Sequence, residues 1–365
     1  MVACGQRARE DSVRVRRGAA MTKVYVGMSG GVDSSLTAAL LVEQGYEVTG
    51  VYMKNWSQDL PGMKCPWAED LADAKRVAVQ LGIDFKVFDF ENEYRHKVVD
   101  YMIEEYKLGR TPNPDIMCNQ EVKFKLFLDA ALEDGADMIA TGHYARVDNG
   151  VLKMAQDTNK DQTYFLYRVT SDALLKTLFP LGEYTKPRVR EMAEERGLST
   201  ATKKDSQGIC FVGKVGIREF LSQYVEQVPG NIIDKQSQIV LGRHDGAIFY
   251  TLGQRHGLDV GGGLPYYVVG KDMQKNEVYV TTDLNDEKLW KRIVELGSVH
   301  WIGAVPENGS YEIRVRHRAE LVQAELSTIS SGITLSLRDQ ERAVAAGQSV
   351  VIYDGDICVG GGIVL

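Results

Sequence analysis

Short apolar runs alternate with amphipathic stretches over the first 140 or so positions. Val24-Tyr25-Val26 and Val48-Thr49-Gly50-Val51-Tyr52-Met53 are nearly continuous apolar runs of strand length, as expected of strands covered on both faces. Between them, Leu36-Thr37-Ala38-Ala39-Leu40-Leu41-Val42 has a helical pattern. Leu71, Ala74, Val77, Ala78 and Leu81 fall on one helical face and predict a helix from Ala68 to Leu81. Phe85 to Phe90 alternates as a third strand. Val98, Val99, Met102 and Ile103 predict a helix from about Glu91 to Leu108, and another is expected from Glu121 to Leu132. Met138-Ile139-Ala140-Thr141 reads as a further strand. Strands alternating with helices predict an α/β fold built on a doubly wound parallel sheet. Ligands of such sheets bind beyond the carboxyl ends of the strands, where Gly27, Met53, Gly142 and His143 fall.

The pattern changes after Val151. Thr185 is placed to start a helix running to Arg196, with Gly197 as its stop, and Gly216 to Val225 is expected to form another. From about Gly230 short strand-like runs are separated by glycine turns: Ala247 to Tyr250, Tyr266 to Val269, Glu277 to Val280, Val350 to Tyr353 and Ile357 to Val359. A small β-barrel is the natural closure for the last of these. The expected organisation is an extension over 1–20, an α/β domain over 21–218, a small central domain over 219–275 and a β-barrel over 276–365.

At 44% hydrophobic and 25% charged, the chain can bury a substantial core. No apolar run approaches the roughly 18 residues of a membrane span. A net charge of −7 disfavours a protein that coats nucleic acid broadly, but leaves room for a local basic patch. The five cysteines, Cys4, Cys65, Cys118, Cys210 and Cys358, are odd in number and lack close pairing, which suits a reducing cytoplasm. Residues 1–20 are arginine-rich, yet Glu10 and Asp11 do not fit a mitochondrial transit peptide. They are expected to be a disordered extension, or to precede the biological start at Met21.

Candidate chemistry sits in three stretches. Gly27-Met28-Ser29-Gly30-Gly31-Val32-Asp33-Ser34 joins the first strand to the first helix. Glycines let a backbone approach phosphate oxygens, and helix N-terminal amides point at the anion. The stretch lacks the Gly-Lys-[Ser/Thr] of a Walker A loop and is not Gly-x-Gly-x-x-Gly. Asp33 would repel a phosphate unless a divalent cation such as Mg²⁺ lay between them. The bland alternative is a glycine-rich turn without a ligand. In the second stretch, Asn113-Pro114-Asp115 follows Thr111-Pro112 and precedes Cys118. The prolines stiffen a loop expected to present Asn113 and Asp115, and a cysteine near a helix start is primed as a thiolate. The third is Asp205-Ser206-Gln207-Gly208-Ile209-Cys210-Phe211, where Lys203 and Lys204 would favour the Cys210 thiolate. On each stretch alone, a buried structural cysteine is the competing assignment.

The first stretch resembles the SGGxDS loop of the PP-loop ATP pyrophosphatases. The three in order closely resemble the tRNA-specific 2-thiouridylases. Ala140-Thr141-Gly142-His143-Tyr144-Ala145-Arg146, Lys160-Asp161-Gln162, Tyr250 to Arg255 and Gly360-Gly361-Gly362 match the same pattern, so the resemblance covers residues 21 to 365. It implies an ATP-dependent enzyme that thiolates the wobble uridine of tRNAs of the Lys, Glu and Gln type. A separate protein would donate persulfide sulfur. ATP would lie on Gly27 to Ser34 with Met53 and Gly142 near the nucleoside, and Mg²⁺ beside the phosphates. The resemblance implies Cys210 as the persulfide carrier, Cys118 as the cysteine that forms a transient disulfide with it, and Asp115 as a base or orienting group. It implies contacts to tRNA from Asn113, Pro114, Asp115, His143, Lys160, Asp161, Gln162, Arg316, His317 and Gln348. Arg314, Arg316 and Arg318 alternate, so on a strand they would form a phosphate-binding comb, or merely a solvated face. Cys65 and Cys358 are expected to have no catalytic duty. The expected state is a cytoplasmic monomer. Three alternatives stay open: a PP-loop amidotransferase or ligase with another acceptor, a tRNA thiolase holding an iron–sulfur cluster, and an RNA-binding protein that never turns ATP over.

Overall fold

The computed structural model describes residues 21–59, 65–204, 216–261, 263–330 and 332–365. Cys210 and its neighbours from Asp205 to Phe211, and the extension over 1–20, lie outside the described residues.

Five parallel strands form the first sheet, in the spatial order Asp84–Asp89, Glu47–Lys54, Lys23–Gly27, Met138–Ala140, Thr177–Leu178. The first three step outward in one direction, and the chain then crosses back to add the fourth on the other side of Lys23–Gly27. That reversal leaves a crevice beyond the ends of Lys23–Gly27 and Met138–Ala140. Both faces of the sheet are covered. Val24 and Val26 pack with the helices Val32–Glu43, Trp67–Leu81 and Lys186–Glu195, while Tyr25 faces the opposite cluster containing Val98, Met102, Val122 and Phe127. The expected doubly wound α/β sheet is therefore present.

Helix boundaries differ from expectation at one informative place. The helix expected from Glu121 begins at Pro114 and runs continuously through Pro114–Met117, Cys118–Leu126 and Phe127–Glu133. The Asn113 side chain accepts hydrogen bonds from the amides of Asp115 (3.1 Å) and Ile116 (3.3 Å), with Pro114 at the first helical position. This is a strong start signal that a loop interpretation overlooks. The winding widens to π-helical over Cys118–Leu126, a form common at functional sites.

A second, four-stranded sheet has the order Tyr267–Asp272, Glu277–Thr281, Gly230–Asp234, Val240–His244. Tyr267–Asp272 and Glu277–Thr281 form one antiparallel hairpin, so the boundary expected at 275/276 cuts through a paired unit and moves beyond Thr281. Ala247 to Tyr250, expected as a strand, is instead a 3₁₀ turn over Ala247–Phe249. Its amides close locally, from Phe249 to the Gly246 carbonyl and from Tyr250 to the Ala247 carbonyl, while Ala247 and Tyr250 fill the core of this sheet.

The last strands close into a barrel in the order Trp290–Trp301, Gly332–Arg342, Val322–Ile329, Gly309–Arg314, Ser349–Asp354, Ile357–Val364. Pairing of Trp290–Trp301 with Ile357–Val364 completes the circle. Val294, Leu296, Ile313, Leu326, Leu335 and Ile352 fill the interior. The strand Ile357–Val364 also pairs, through Ile357 and Lys153, with the hairpin Arg146–Asp148 and Val151–Lys153 of the α/β part. Among the described residues no helix is long and apolar enough to cross a membrane.

Candidate active site

The glycine loop lies at the sheet's reversal point. The Met28 amide donates to the Val51 carbonyl (2.7 Å), tying the loop to the neighbouring strand. The helix Val32–Glu43 starts after Gly31 with no side-chain cap, so its first amides are left for an anion. Buried Ser34 accepts from the Ser29 amide (3.2 Å), and its hydroxyl donates to the Gly31 carbonyl (3.2 Å). Exposed Ser29 faces out beside it, its hydroxyl 3.4 Å from that of Ser34. The turn is intolerant of side chains. Gly30 has φ +74°, and a Cβ there would run into the Asp70 carbonyl at the start of the helix Trp67–Leu81. A Cβ on Gly142 would lie 2.9 Å from the Ser34 nitrogen. Met53 crosses the end of the first strand, its Cε 2.9 Å from where a Gly27 Cβ would be. The structure thus brings Gly27 to Ser34, Met53 and Gly142 together.

Asp33 is the charged centre of this loop. Its carboxylate accepts from the Lys186 ammonium at 2.7 and 2.8 Å and from the Tyr144 hydroxyl at 2.9 Å. Neither partner is anticipated by sequence reasoning. One signal was available: Lys186 opens the helix Lys186–Glu195, where a cation opposes the helix dipole and needs an anion to justify it. Among the described residues no group of three or more His, Cys, Asp or Glu side chains is placed to hold a metal. Lys186 and Tyr144 together make three hydrogen bonds to the Asp33 carboxylate.

Cys118 lies within the helix that begins at Pro114, 1% exposed, in the same core cluster as Tyr94, Val98 and Val122. This corrects the expectation of a thiol just ahead of a helix beginning at Glu121. Its distance from Cys210 falls outside the described residues. Lys203, expected to influence Cys210, donates to Asp70 (2.7 Å) and Asp73 (2.6 Å). Cys65 and Cys358 are buried, and burial raises both thiols above their ordinary value, leaving poor thiolates.

The expected tRNA-contacting positions separate into two groups. Some are internal. Asp161, 1% exposed, accepts from the Ala155 amide (3.0 Å), the Thr163 hydroxyl (2.7 Å) and Arg314 Nη1 (3.0 Å), so its carboxylate is engaged in the fold. Gln162 Oε1 accepts from the Tyr144 amide (2.9 Å) and holds the residue that contacts Asp33. His143 is buried beside Phe124 and Phe179 and shares a 2.7 Å hydrogen bond with Thr141 Oγ1. Burial, with a smaller push from Lys123, holds its imidazole well below the ordinary range and therefore neutral.

Of the others, Arg316 is exposed, Asn113, Asp115, Lys160, His317 and Gln348 are part-exposed, and Pro114 is buried. The strand Gly309–Arg314 ends at Arg314, which is buried, so the arginine comb does not form. Exposed Arg316 donates to the Arg342 carbonyl (2.7 Å), and the His317 ring packs against Phe165, centroids 4.5 Å apart and planes tilted by 43°. Phe165 follows Lys160-Asp161-Gln162 closely, so the barrel and the α/β part place Lys160, Arg316 and His317 at one basic junction. Gln348 lies in a turn whose Gly347 packs on Arg110 and Thr111, and the Thr111 amide donates to the Ala346 carbonyl (2.9 Å). Gln348, whose Oε1 accepts from the Ala345 amide (3.2 Å), therefore sits in a turn held on the Arg110-Thr111 segment that leads into Asn113-Pro114-Asp115.

That junction has a measurable titration. Burial, then Arg318, Arg314 and Lys160, pull the His317 imidazole down to about 4. The folded state thus favours neutral His317. Its stabilisation is complete above the ordinary value near 6.5 and declines as pH falls toward 4. Because the ring is only half-buried, the expected loss is on the order of 1 kcal/mol. Urea unfolding at pH 7 and pH 4.5 should show a smaller drop for His317→Gln than for the wild type; equal drops would exclude His317 as the source.

Comparison with known proteins gives a consistent assignment. Residues 22–214 match the family described as tRNA methyl transferase HUP domain, 218–282 the tRNA methyl transferase PRC-barrel domain, and 291–364 the Aminomethyltransferase beta-barrel domain. The tRNA-specific 2-thiouridylase MnmA of Enterococcus faecalis is 47% identical over 356 residues, 94% of this chain and 95% of that protein. Its Bacillus subtilis namesake is 48% identical over 350 residues, 93% of this chain and 94% of that one. The Exiguobacterium sibiricum protein of the same name is 46% identical, covering 93% of each. The domain descriptions refer to methyl transfer, but the relatives matched from end to end are all named for thiolation. With three domains in register and nearly half of all positions shared over almost the full length, the chain belongs to the tRNA-specific 2-thiouridylase family.

Proposed function

We propose that the protein is a tRNA-uridine 2-sulfurtransferase that uses ATP to thiolate the wobble uridine of tRNA, and that its substrates are tRNAs of the Lys, Glu and Gln type. Full-length identity of 46–48% to proteins named tRNA-specific 2-thiouridylase carries this conclusion. The uncapped helix start beside the glycine loop supports ATP as the activating substrate.

The wobble base leaves the anticodon stack to reach the site, as other bases do when chemistry is performed on them. Its C2 oxygen attacks the α-phosphorus of ATP, giving an adenylated base and pyrophosphate. Loop amides and the Ser29 and Ser34 hydroxyls stabilise charge on the departing group. A donor protein supplies sulfur as a persulfide on Cys210. The Cys118 thiolate attacks the inner sulfur of that persulfide, forming the Cys118–Cys210 disulfide and releasing hydrosulfide. Hydrosulfide adds to C2 and expels AMP, leaving 2-thiouridine. A thiol reductant then restores both cysteines. Asp115 orients the base or accepts its proton, assisted by Asn113. Mg²⁺ bound with ATP would supply positive charge to the phosphates, and Asp33 is the loop carboxylate that would face it. Lys160, Arg316, His317 and Gln348 hold the tRNA backbone. The barrel is the main tRNA platform, and the enzyme works as a cytoplasmic monomer.

The direct test supplies unmodified tRNA, Mg-ATP and a persulfide donor, and analyses the nucleosides by mass spectrometry. Formation of 2-thiouridine is expected. Pyrophosphate release without 2-thiouridine would retain the ATP chemistry but transfer it to a different acceptor.

A further inference from the structure

Lys186 is a buried lysine at the mouth of the glycine loop, 8% exposed, with its ammonium on both oxygens of Asp33. Stability does not explain this pairing. Asp33 is about one-third exposed and lies in the first turn of its helix, where the dipole already favours a carboxylate. Lys186, by contrast, is desolvated and opens its own helix, the end that disfavours a cation. The backbone beneath it is fixed. Its amide donates to Asp157 Oδ2 (2.8 Å), Pro187 follows, and Val189, Met192 and Ala193 anchor the helix in the core. Only the flexible four-carbon stem is left to reposition the charge.

We propose that Lys186 is a phosphate-contacting residue of the ATP site, held on Asp33 in the nucleotide-free protein and transferred to phosphate oxygens when ATP binds. The inference rests on the assignment of the glycine loop to ATP. Its physical basis is competition. A polyphosphate beside the uncapped helix start brings several negative charges close to Asp33, and the ammonium is drawn to the denser charge. Tyr144 keeps its hydroxyl on Asp33 Oδ1, so the carboxylate stays partnered as the lysine moves. On Lys186 the charge neutralises pyrophosphate as it departs, acting alongside whatever cation ATP carries with it. Lys186 thereby adds a cation of the chain's own to the loop amides that face the phosphates.

The test separates ligand parts by calorimetry on the full chain, with pyrophosphate, ATP and adenosine as probes. Lys186→Met should weaken pyrophosphate and ATP ten- to hundredfold and leave adenosine binding unchanged. Lys186→Arg, which keeps the charge, should recover most of the pyrophosphate affinity. A residue serving only to hold the loop in shape would affect all three ligands together and would not be rescued by arginine. Lys186→Gln provides a second charge-free variant if the methionine protein fails to fold, as judged by circular dichroism. Unchanged pyrophosphate and ATP affinity in a folded charge-free variant would overturn the proposal alone. Failure of the wild type to bind either would overturn the ATP assignment and this proposal with it.

Discussion

Cys118→Ser should abolish 2-thiouridine formation, by a factor on the order of 10³ or more, while tRNA-dependent pyrophosphate release still proceeds for a first turnover. The two readouts separate because adenylation and sulfur release use different groups. In the proposed mechanism, adenylation depends on the loop over Gly27 to Ser34, whereas release of sulfur from the persulfide needs a second thiolate. A serine hydroxyl neither attacks sulfur usefully at neutral pH nor closes a disulfide. The substitution is close in size, which matters because Cys118 is 1% exposed among core residues. Melting temperature therefore serves as the control. If pyrophosphate release disappears together with thiolation in a protein that melts normally, Cys118 has a part in positioning the base for adenylation. If 2-thiouridine persists, sulfur leaves the persulfide by another route and the disulfide step is wrong.

Arg314→Met should cost about 3–5 kcal/mol of stability, the usual penalty for leaving a buried charge without its partner. Asp161 and Arg314 are 1% and 6% exposed and meet at 3.0 Å. The guanidinium also sits 5.5 Å above the Tyr353 ring, and the Tyr353 and Thr163 hydroxyls lie 3.2 Å apart. Removing arginine strands a carboxylate that the Ala155 amide and Thr163 hydroxyl satisfy only in part. Replacing both residues, Asp161→Asn with Arg314→Met, removes the stranded charge and should recover much of the loss. Urea unfolding of the single and double variants measures that coupling. A double variant no more stable than Arg314→Met would mean that lost packing on Tyr353, rather than the unpaired charge, is responsible.

The architecture was legible wherever local pattern and tertiary demand agree. Val24 to Val26 reads as a buried strand because both faces are in fact covered. The glycine loop was legible because phosphate cradles are made of contiguous residues. Lys186 was not, because its partner lies far away in sequence and periodicity says nothing about distant pairing. Arg314 misled for a related reason: alternation identifies a strand face but cannot say whether that face meets solvent or, as here, Asp161. Asn113 has a structural use that a loop reading does not predict: its side-chain oxygen caps a helix, because the chemistry that suits a base edge also suits a free amide. Ala247 to Tyr250 is apolar because it is buried, and burial alone does not distinguish a strand from a turn.

The hairpin that lends Lys153 to the barrel strand Ile357–Val364 bears on how the protein can be divided. Its two strands belong in sequence to the nucleotide-binding part and in hydrogen bonding to the barrel. A cut made by sequence position would therefore remove the Ile357–Lys153 pairing and leave the hairpin without its barrel neighbour. Exposed edges of that kind recruit strange partners and promote aggregation. A barrel fragment that keeps residues 146–153 retains the Ile357–Lys153 pairing, whereas one cut by sequence position alone does not.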